Sequence, residues 1–383
     1  MEDIMIDIIE EFQELVQIPS PSMGERLMAD ALTGKLRELG LTVEEEDTGA
    51  EIGGNAGNLY AYLSPTEGIS GDSILFSAHM DRVPGGDGIR CVDCGEYLSS
   101  DGTTILAADD LSGVCAILNG IRRVKESGKP HCGVEIVFTV CEENETKGAK
   151  HLLYHRIRSK AGYCMDSSGR FGRVVTGAPK IDHLELKFFG KRAHAGAEPE
   201  KGADALKAAA RVKASAVEGR IDPETTANLG VLTAGSATNV ICDYAVILGE
   251  VRSYDAGKVR AYEDALRNLI AETTAGTGVR AEMTVIPDTE AFRADSSGPV
   301  VRKLLSAMEK TGIKGFSENG GGGMDANTFN QKGIISVGVA TGYLRNHTKE
   351  EVLYKEDLRK AGETVAALIF EWSGAQETEI REA

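Results

Sequence analysis

The stretch Ile74-Leu-Phe-Ser-Ala-His79-Met-Asp81-Arg-Val-Pro84 runs an unbroken series of apolar or small residues into a histidine, with an aspartate two positions later. An apolar run of this length without alternation predicts a buried strand, of the kind that α/β proteins cover with helices on both faces. His79 then falls at the strand's end and Asp81 on the same side. A carboxylate there can accept one ring N–H of the imidazole and leave the other nitrogen for a metal. A histidine satisfied inside a core at a strand end fits the same residues equally well.

Outward from this strand, strand-like and helical runs alternate as far as about residue 176. Strands are predicted over Thr42 to Glu46, Asn58 to Leu63, Ser73 to Ala78, Val134 to Val140 and Tyr163 to Met165, with helices near 25–39, 110–127 and 146–154. Ile4, Met5, Ile8, Ile9, Phe12, Leu15 and Val16 share one face of a first helix. The alternation predicts an α/β fold with a mixed sheet flanked by helices.

The pattern changes at Gly177-Ala178-Pro179. Strand (His183 to Phe189), helix (Ala203 to Val217), strands (Leu229 to Ala234 and Tyr244 to Val251), helix (Lys258 to Ala275) and strand (Ala281 to Ile286) predict a small inserted α+β domain of ferredoxin-like type. The last part returns to a helix near 298–310, a glycine-rich loop, the run Ile334 to Ala340 and a helix at about 356–373. The expected division is 1–178 and 289–383 for the larger domain, with 179–288 inserted into it. The length of 383 residues fits two domains.

Composition is that of a soluble globular protein, 42% hydrophobic and 26% charged. A net charge of -17 argues against nucleic acid and anionic membrane surfaces as partners. No apolar run approaches the roughly 18 residues of a membrane span. The opening MEDIMIDIIEEFQELV is acidic where a secretion signal would be basic, so a cytoplasmic location is expected. The 7 cysteines fit reduced, buried thiols. Cys91 and Cys94 form a lone CxxC that reads as incidental to a loop hairpin.

More acids stand at the ends of apolar runs. In Thr104-Ile-Leu-Ala-Ala-Asp-Asp-Leu-Ser-Gly-Val114 two aspartates precede a helix. Capping accounts for one of Asp109 and Asp110 but not for both, and a carboxylate shared by two cations is the role assigned to Asp109. Val134-Glu-Ile-Val-Phe-Thr-Val-Cys-Glu-Glu-Asn144 ends on Glu142 and Glu143, adjacent like charges that need cations or a proton when buried. One can ligate while the other serves as general base, whereas a solvated acidic loop through Glu145 is the plainer reading. Asp166 ends the short run Ala161 to Met165, and His347 stands in a polar loop. Asn319 and the four glycines to Gly323 are not a phosphate loop, since no Lys-Ser or Lys-Thr follows. Free N–H groups there, beside a helix start at Asp325, suit a substrate carboxylate or backbone.

The order His-x-Asp, Ala-Asp-Asp, Glu-Glu, Asp and a late His, with Gly190-Lys-Arg-Ala-His-Ala-Gly196 in the middle and Gly321-Gly-Gly-Met-Asp-Ala-Asn327 near the end, resembles the co-catalytic dizinc metallopeptidase family. That family includes peptidase T, carboxypeptidases that release glutamate, and several amidohydrolases. The resemblance covers nearly the whole chain. It implies one zinc on His79, Asp109 and Asp166 and a second on Asp109, Glu143 and His347, with cobalt or manganese as possible substitutes. Glu142 would be the general base and Asp81 would orient His79. His194 would stabilise the oxyanion, Asn239 and Arg252 would contact substrate, and Gly322 and Gly323 would line its site. Arg252 also fits a plain surface arginine on a strand. The resemblance further implies a cis bond between Asp109 and Asp110, and a homodimer formed through the inserted lid domain. Leu111 stands where many relatives have lysine, and Glu145 and Lys147 occupy a turn that is often glycine-rich. Ser100-Asp-Gly-Thr-Thr-Ile-Leu106 and the residues after it are similar to the peptidase T version, which implies an aminopeptidase for short peptides. The alternatives are a dizinc carboxypeptidase or N-acyl amino acid deacylase, and a non-catalytic binding protein on the same fold.

Overall fold

The computed structural model describes residues 6–69 and 73–374. The chain forms two compact units, one made of Met1–Ala178 with Arg293–Ala383 and the other of Pro179–Phe292.

In the first unit the strand Ile74–His79 lies between Val134–Thr139 and Ala161–Ser167, parallel to both, and Ile335–Ala340 extends the parallel set beyond Ala161–Ser167. Antiparallel strands flank this core: Leu59–Leu63 and Thr42–Glu45 on one side, Arg173–Ala178 on the other. The sheet is therefore mixed, with a parallel centre. Its apolar runs have no alternation because both faces are covered: Ile74 and Phe76 join one core cluster while Leu75 between them joins another, and Ile136, Val137 and Phe138 divide in the same way.

The larger cluster takes in the helices Ile8–Leu15, Ala108–Ser127, Pro299–Lys310 and Lys355–Ser373. Asp7 caps the first of these, accepting the Ile9 N–H at 2.8 Å. Ile4 and Met5 of the expected helical face lie outside the described residues. Between Ala108–Ser127 and Lys355–Ser373 a glycine is needed, since a Cβ on Gly120 would come within 2.3 Å of Val365. On the other face Ala149, Leu152 and Phe329 pack against Leu75 and Val137.

The helix expected over 146–154 is instead a short turn, Lys147–Lys150, followed by a 3-10 turn at Tyr154–Arg156. The Leu153 N–H points to the Glu46 carboxylate, 3.3 Å away, and does not continue a helical ladder. A second, four-stranded sheet has no counterpart among the expected strands. It joins Tyr343–Leu344, Val352–Tyr354, Tyr97–Ser100 and Cys91–Asp93, all antiparallel. Cys91 and Cys94 belong to its hairpin and both are free thiols.

In the second unit the strands Lys180–Phe189, Thr225–Ala234, Tyr244–Ser253 and Arg280–Thr289 form an antiparallel sheet in the order fourth, first, third, second, with Gly219–Asp222 added at the edge. The helices Ala205–Ser215 and Ala256–Thr274 cover one face and share a core with it. This is the ferredoxin-like arrangement expected for the insertion.

Candidate active site

Neighbouring parallel strands all end at the same edge of a sheet, and ligands gather there in α/β folds. His79 is the last residue of its strand, Glu142 and Glu143 follow the strand that ends at Thr139, and Asp166 lies near the end of Ala161–Ser167. His347 comes from the loop between Tyr343–Leu344 and Val352–Tyr354. Strand direction thus brings His79, Glu142, Glu143 and Asp166 to one edge of the sheet, while Asp109 joins them from the start of Ala108–Ser127.

Two groups of three ligand atoms result: His79, Asp109 and Asp166, and Asp109, Glu143 and His347, the atoms of each lying within 4.8 Å of one another. Asp109 belongs to both. Its Oδ1 is 3.2 Å from His79 Nε2 and its Oδ2 is 3.1 Å from His347 Nε2, so each oxygen faces one imidazole. Glu143 Oε1 is 2.9 Å from the same His347 nitrogen. Asp110 has the separate capping task. Its Oδ1 accepts the Gly113 N–H and its Oδ2 the His79 N–H, both at 3.2 Å. The Asp109–Asp110 peptide bond is cis.

Nδ1 of His79 donates to the Asp81 backbone carbonyl at 3.0 Å, with Asp81 Oδ1 farther off at 3.4 Å. In the neutral ring this leaves the Nε2 lone pair as the ligand. The carbonyl of Asp81 therefore takes the bond expected of its carboxylate. The carboxylate is engaged elsewhere, accepting the N–H groups of Glu142 at 2.9 Å and Glu143 at 3.2 Å and the Ser22 hydroxyl at 2.6 Å. Glu25, fully buried, accepts the adjacent Cys141 N–H at 3.0 Å. Three consecutive amides of the Cys-Glu-Glu turn are thus fixed by two buried carboxylates.

The charges in this site are mutually hostile without cations. Burial and the neighbouring Asp109 push Asp166 up to about 8. Burial, with Asp166 next, pushes Glu142 well above the carboxylate range, and burial raises Glu143. Burial opposes ionisation of Asp109 as well, but hydrogen bonds with His347 and His79 outweigh it and hold this one carboxyl well below its usual range. Hydrogen bonds with Asp109 and then Glu143 lift His347 to about 10. A cluster of acids that raise one another, interleaved with two imidazoles, is the donor set of a divalent-cation pair. The residues therefore fit two metal ions.

Backbone geometry at the site is unusual. Ala107 (φ 58°), Cys141 (φ 54°) and His347 (φ 63°) occupy the left-handed region without being glycine, a cost of order 1 kcal/mol each that the surrounding contacts must offset.

Several contributors had no signal in the sequence. Tyr343 donates to Asp166 Oδ1 at 3.1 Å and Asn346 to Asp109 Oδ2 at 2.7 Å. Asp325, read above only as a helix start, is buried, accepts the Thr139 hydroxyl at 2.6 Å and is pushed up to about 6, chiefly by burial. In the glycine-rich loop the Gly320 N–H binds the Gly177 carbonyl at 2.8 Å, and a Cβ on Gly322 would meet nothing within 4 Å. The loop's backbone there faces open space. Gly323 is the last of its glycines before Met324.

In the second unit His194 is exposed, and its Nδ1 accepts the N–H groups of Gly196 at 3.2 Å and Ala197 at 3.1 Å. That fixes the ring proton on Nε2 and turns an N–H donor outward. His194 bridges Val240, and the Ala195 N–H binds the Asn239 carbonyl at 2.9 Å, so Asn239 lies on the segment paired with that of His194. Arg252 does not join them. It sits eight residues beyond Tyr244 in the strand Tyr244–Ser253, a span of roughly 26 Å at strand rise, and grips Glu250 at 2.7 and 2.9 Å.

Comparison with known proteins places the chain. A family model described as peptidase dimerisation domain (M20) matches residues 177–277, and one described as peptidase family M28 matches residues 58–208. The crystal structure of aminopeptidase PepT from Bacillus cereus is 39% identical over 95% of this chain and 98% of that one, with a TM-score of 0.87. A tripeptidase from Staphylococcus aureus is 31% identical over 96% and 98% of the two chains, with a TM-score of 0.92. A Bacillus subtilis structure described as a dinuclear metal binding peptidase from the M20 family shares the fold at 19% identity over 94% and 96%, with a TM-score of 0.71. The chain belongs to the M20 peptidase family, whose members are metal-dependent hydrolases. Among the described residues no helix is long and apolar enough to cross a membrane.

Proposed function

We propose that the protein is a cytoplasmic dizinc aminopeptidase that hydrolyses short peptides, with His79, Asp109 and Asp166 holding one ion and Asp109, Glu143 and His347 the other. The observation that carries this is Asp109, whose two oxygens each face one of the two histidines. The 39% identity to aminopeptidase PepT supports the peptide substrate. Zinc suits mixed imidazole and carboxylate donors, and cobalt or manganese would substitute.

When bound, the cation pair polarises the scissile carbonyl and acidifies a water molecule. Glu142 takes that water's proton and passes it to the leaving amine. Without cations, burial and Asp166 raise its proton affinity, and a bound pair would lower it again toward the range of a base. Asp81 holds the amides of Glu142 and Glu143 and, through its carbonyl, the ring of His79. His194, with its Nε2–H directed outward, is suited to stabilise the oxyanion. Asn239 beside it and Gly322 and Gly323 are suited to bind substrate. Arg252 would reach substrate only from the far end of its unit. A homodimer formed through this unit is part of the proposal. The match to a peptidase dimerisation domain and the exposed Val231, Leu248 and Ile286 on the same unit are consistent with it.

The test is hydrolysis of a free tripeptide against the same tripeptide with its N-terminus acetylated. An aminopeptidase cleaves the first and spares the second. Preference for the acetylated form would instead establish the deacylase or carboxypeptidase reading.

A further inference from the structure

Glu351 stands four residues beyond His347, is 1% exposed, and is aimed at backbone. Its Oε2 accepts the N–H groups of Leu106 and Ala107, both at 2.9 Å, and its Oε1 accepts that of Asp109 at 3.1 Å. The middle one of these residues, Ala107, is in the left-handed region at φ 58°. Nothing in the local sequence favours that conformation, since neither glycine nor asparagine is present there. The carboxylate reads out the turn by gathering three amides that an ordinary extended chain would point apart.

The segment 346–351 thereby holds Asp109 from two directions. Asn346 and His347 meet its carboxylate Oδ2 at 2.7 and 3.1 Å, and Glu351 meets its backbone N–H. A side chain pinned at both its root and its tip has little freedom to swing between two cations. We propose that Glu351 is a positioning residue for Asp109, setting where both oxygens of that carboxylate stand and so how tightly two metal ions are held. This rests on the dinuclear reading above. Two acceptor oxygens are required, because a glutamine in its place keeps the shape but turns an N–H2 group toward one of the amides.

The experiment is titration of the metal-stripped full-length chain with Co2+, followed by the visible absorption of the bound ion, for wild type, Glu351→Gln and Glu142→Gln. Glu351→Gln is expected to bind Co2+ at least about 10-fold more weakly, with an altered visible band, and to regain turnover when Co2+ is supplied in excess. Glu142→Gln is expected to bind like wild type and to regain nothing. A purely structural cap would lower the melting temperature of Glu351→Gln yet leave affinity and band unchanged, and that result overturns the proposal. Should Glu351→Gln not fold, Glu351→Asp keeps the charge on a shorter arm. It too must bind Co2+ more weakly than wild type, and wild-type affinity overturns the proposal. The two readings fail separately: a wild-type chain that binds no Co2+ removes the dinuclear site and this inference with it. A wild type that binds two ions beside a Glu351→Gln that binds them equally well removes this inference alone.

Discussion

The carboxylate of Asp81 accepts the backbone N–H of Glu142 at 2.9 Å, and the carbonyl of the same aspartate accepts the Nδ1–H of His79 at 3.0 Å. One residue therefore sets both a proposed ligand and the proposed base. Replacing it with alanine preserves the carbonyl but strands the amides of Glu142 and Glu143 and the Ser22 hydroxyl. Asp81→Ala is expected to lose about 10- to 100-fold in metal affinity or turnover, as losses of groups that orient ligands usually do. It should also lose roughly 1 to 3 kcal/mol of stability from a buried amide left unpaired. Metal titration, peptide turnover and denaturant melts measure these effects, and unchanged metal affinity together with unchanged turnover would confine Asp81 to a packing role.

Glu142 and Glu143 are neighbours in sequence with different surroundings. Glu143 lies 2.9 Å from His347, whereas Glu142 lies 3.9 Å from His79 and beside no other imidazole. Glu142→Gln is expected to keep the bound metal and lose at least about 10²- to 10⁴-fold in kcat, the usual contribution of a general base. Glu143→Gln should instead weaken metal binding. Wild-type turnover in Glu142→Gln would remove it from the mechanism.

Removal of the metal should make stability fall as pH rises. Asp166, raised from 3.8 to about 8, and His347, raised from 6.5 to about 10, both bind protons more tightly folded than unfolded in the metal-free chain. A raised folded value gives stability that is complete below the unfolded value and lost as pH passes up through the folded one. Between about pH 6 and pH 9 the melting temperature of the chelated protein is therefore expected to drop. Over the same window the gap to the metal-loaded protein should widen, and metal uptake should release protons. Thermal melts with and without chelator, and calorimetry in buffers of different ionisation enthalpy, read these effects. A gap that narrows with rising pH would contradict the assignment.

Much of this site was legible because strand ends carry their own punctuation. An apolar run that stops at His79, at Glu142 and Glu143, or at Asp166 marks a buried edge with charge on it, and parallel pairing then brings those edges together without further instruction. Two adjacent acids before a helix exceed what capping needs, and the shared-carboxylate role is assigned to Asp109. The fold shows that Asp110 caps Gly113 while Asp109 faces the histidines. Glu25, Glu351 and Asn346 left no trace because their partners are backbone amides or a side chain distant in sequence, and nothing periodic marks such contacts. The sheet built from Cys91–Asp93, Tyr97–Ser100, Tyr343–Leu344 and Val352–Tyr354 was missed for a similar reason. Its strands are two to four residues long, below the length at which alternation can be read.

The central claim is a pair of ions sharing Asp109, and the most direct measurement is metal content per chain with its affinity, for wild type and for Asp109→Asn. The wild-type chain is predicted to hold two equivalents of zinc. Asp109→Asn, isosteric but uncharged, is predicted to lose affinity for both ions together. A wild-type chain that retains no metal, or an Asp109→Asn chain that binds two ions as tightly as wild type, would contradict the account.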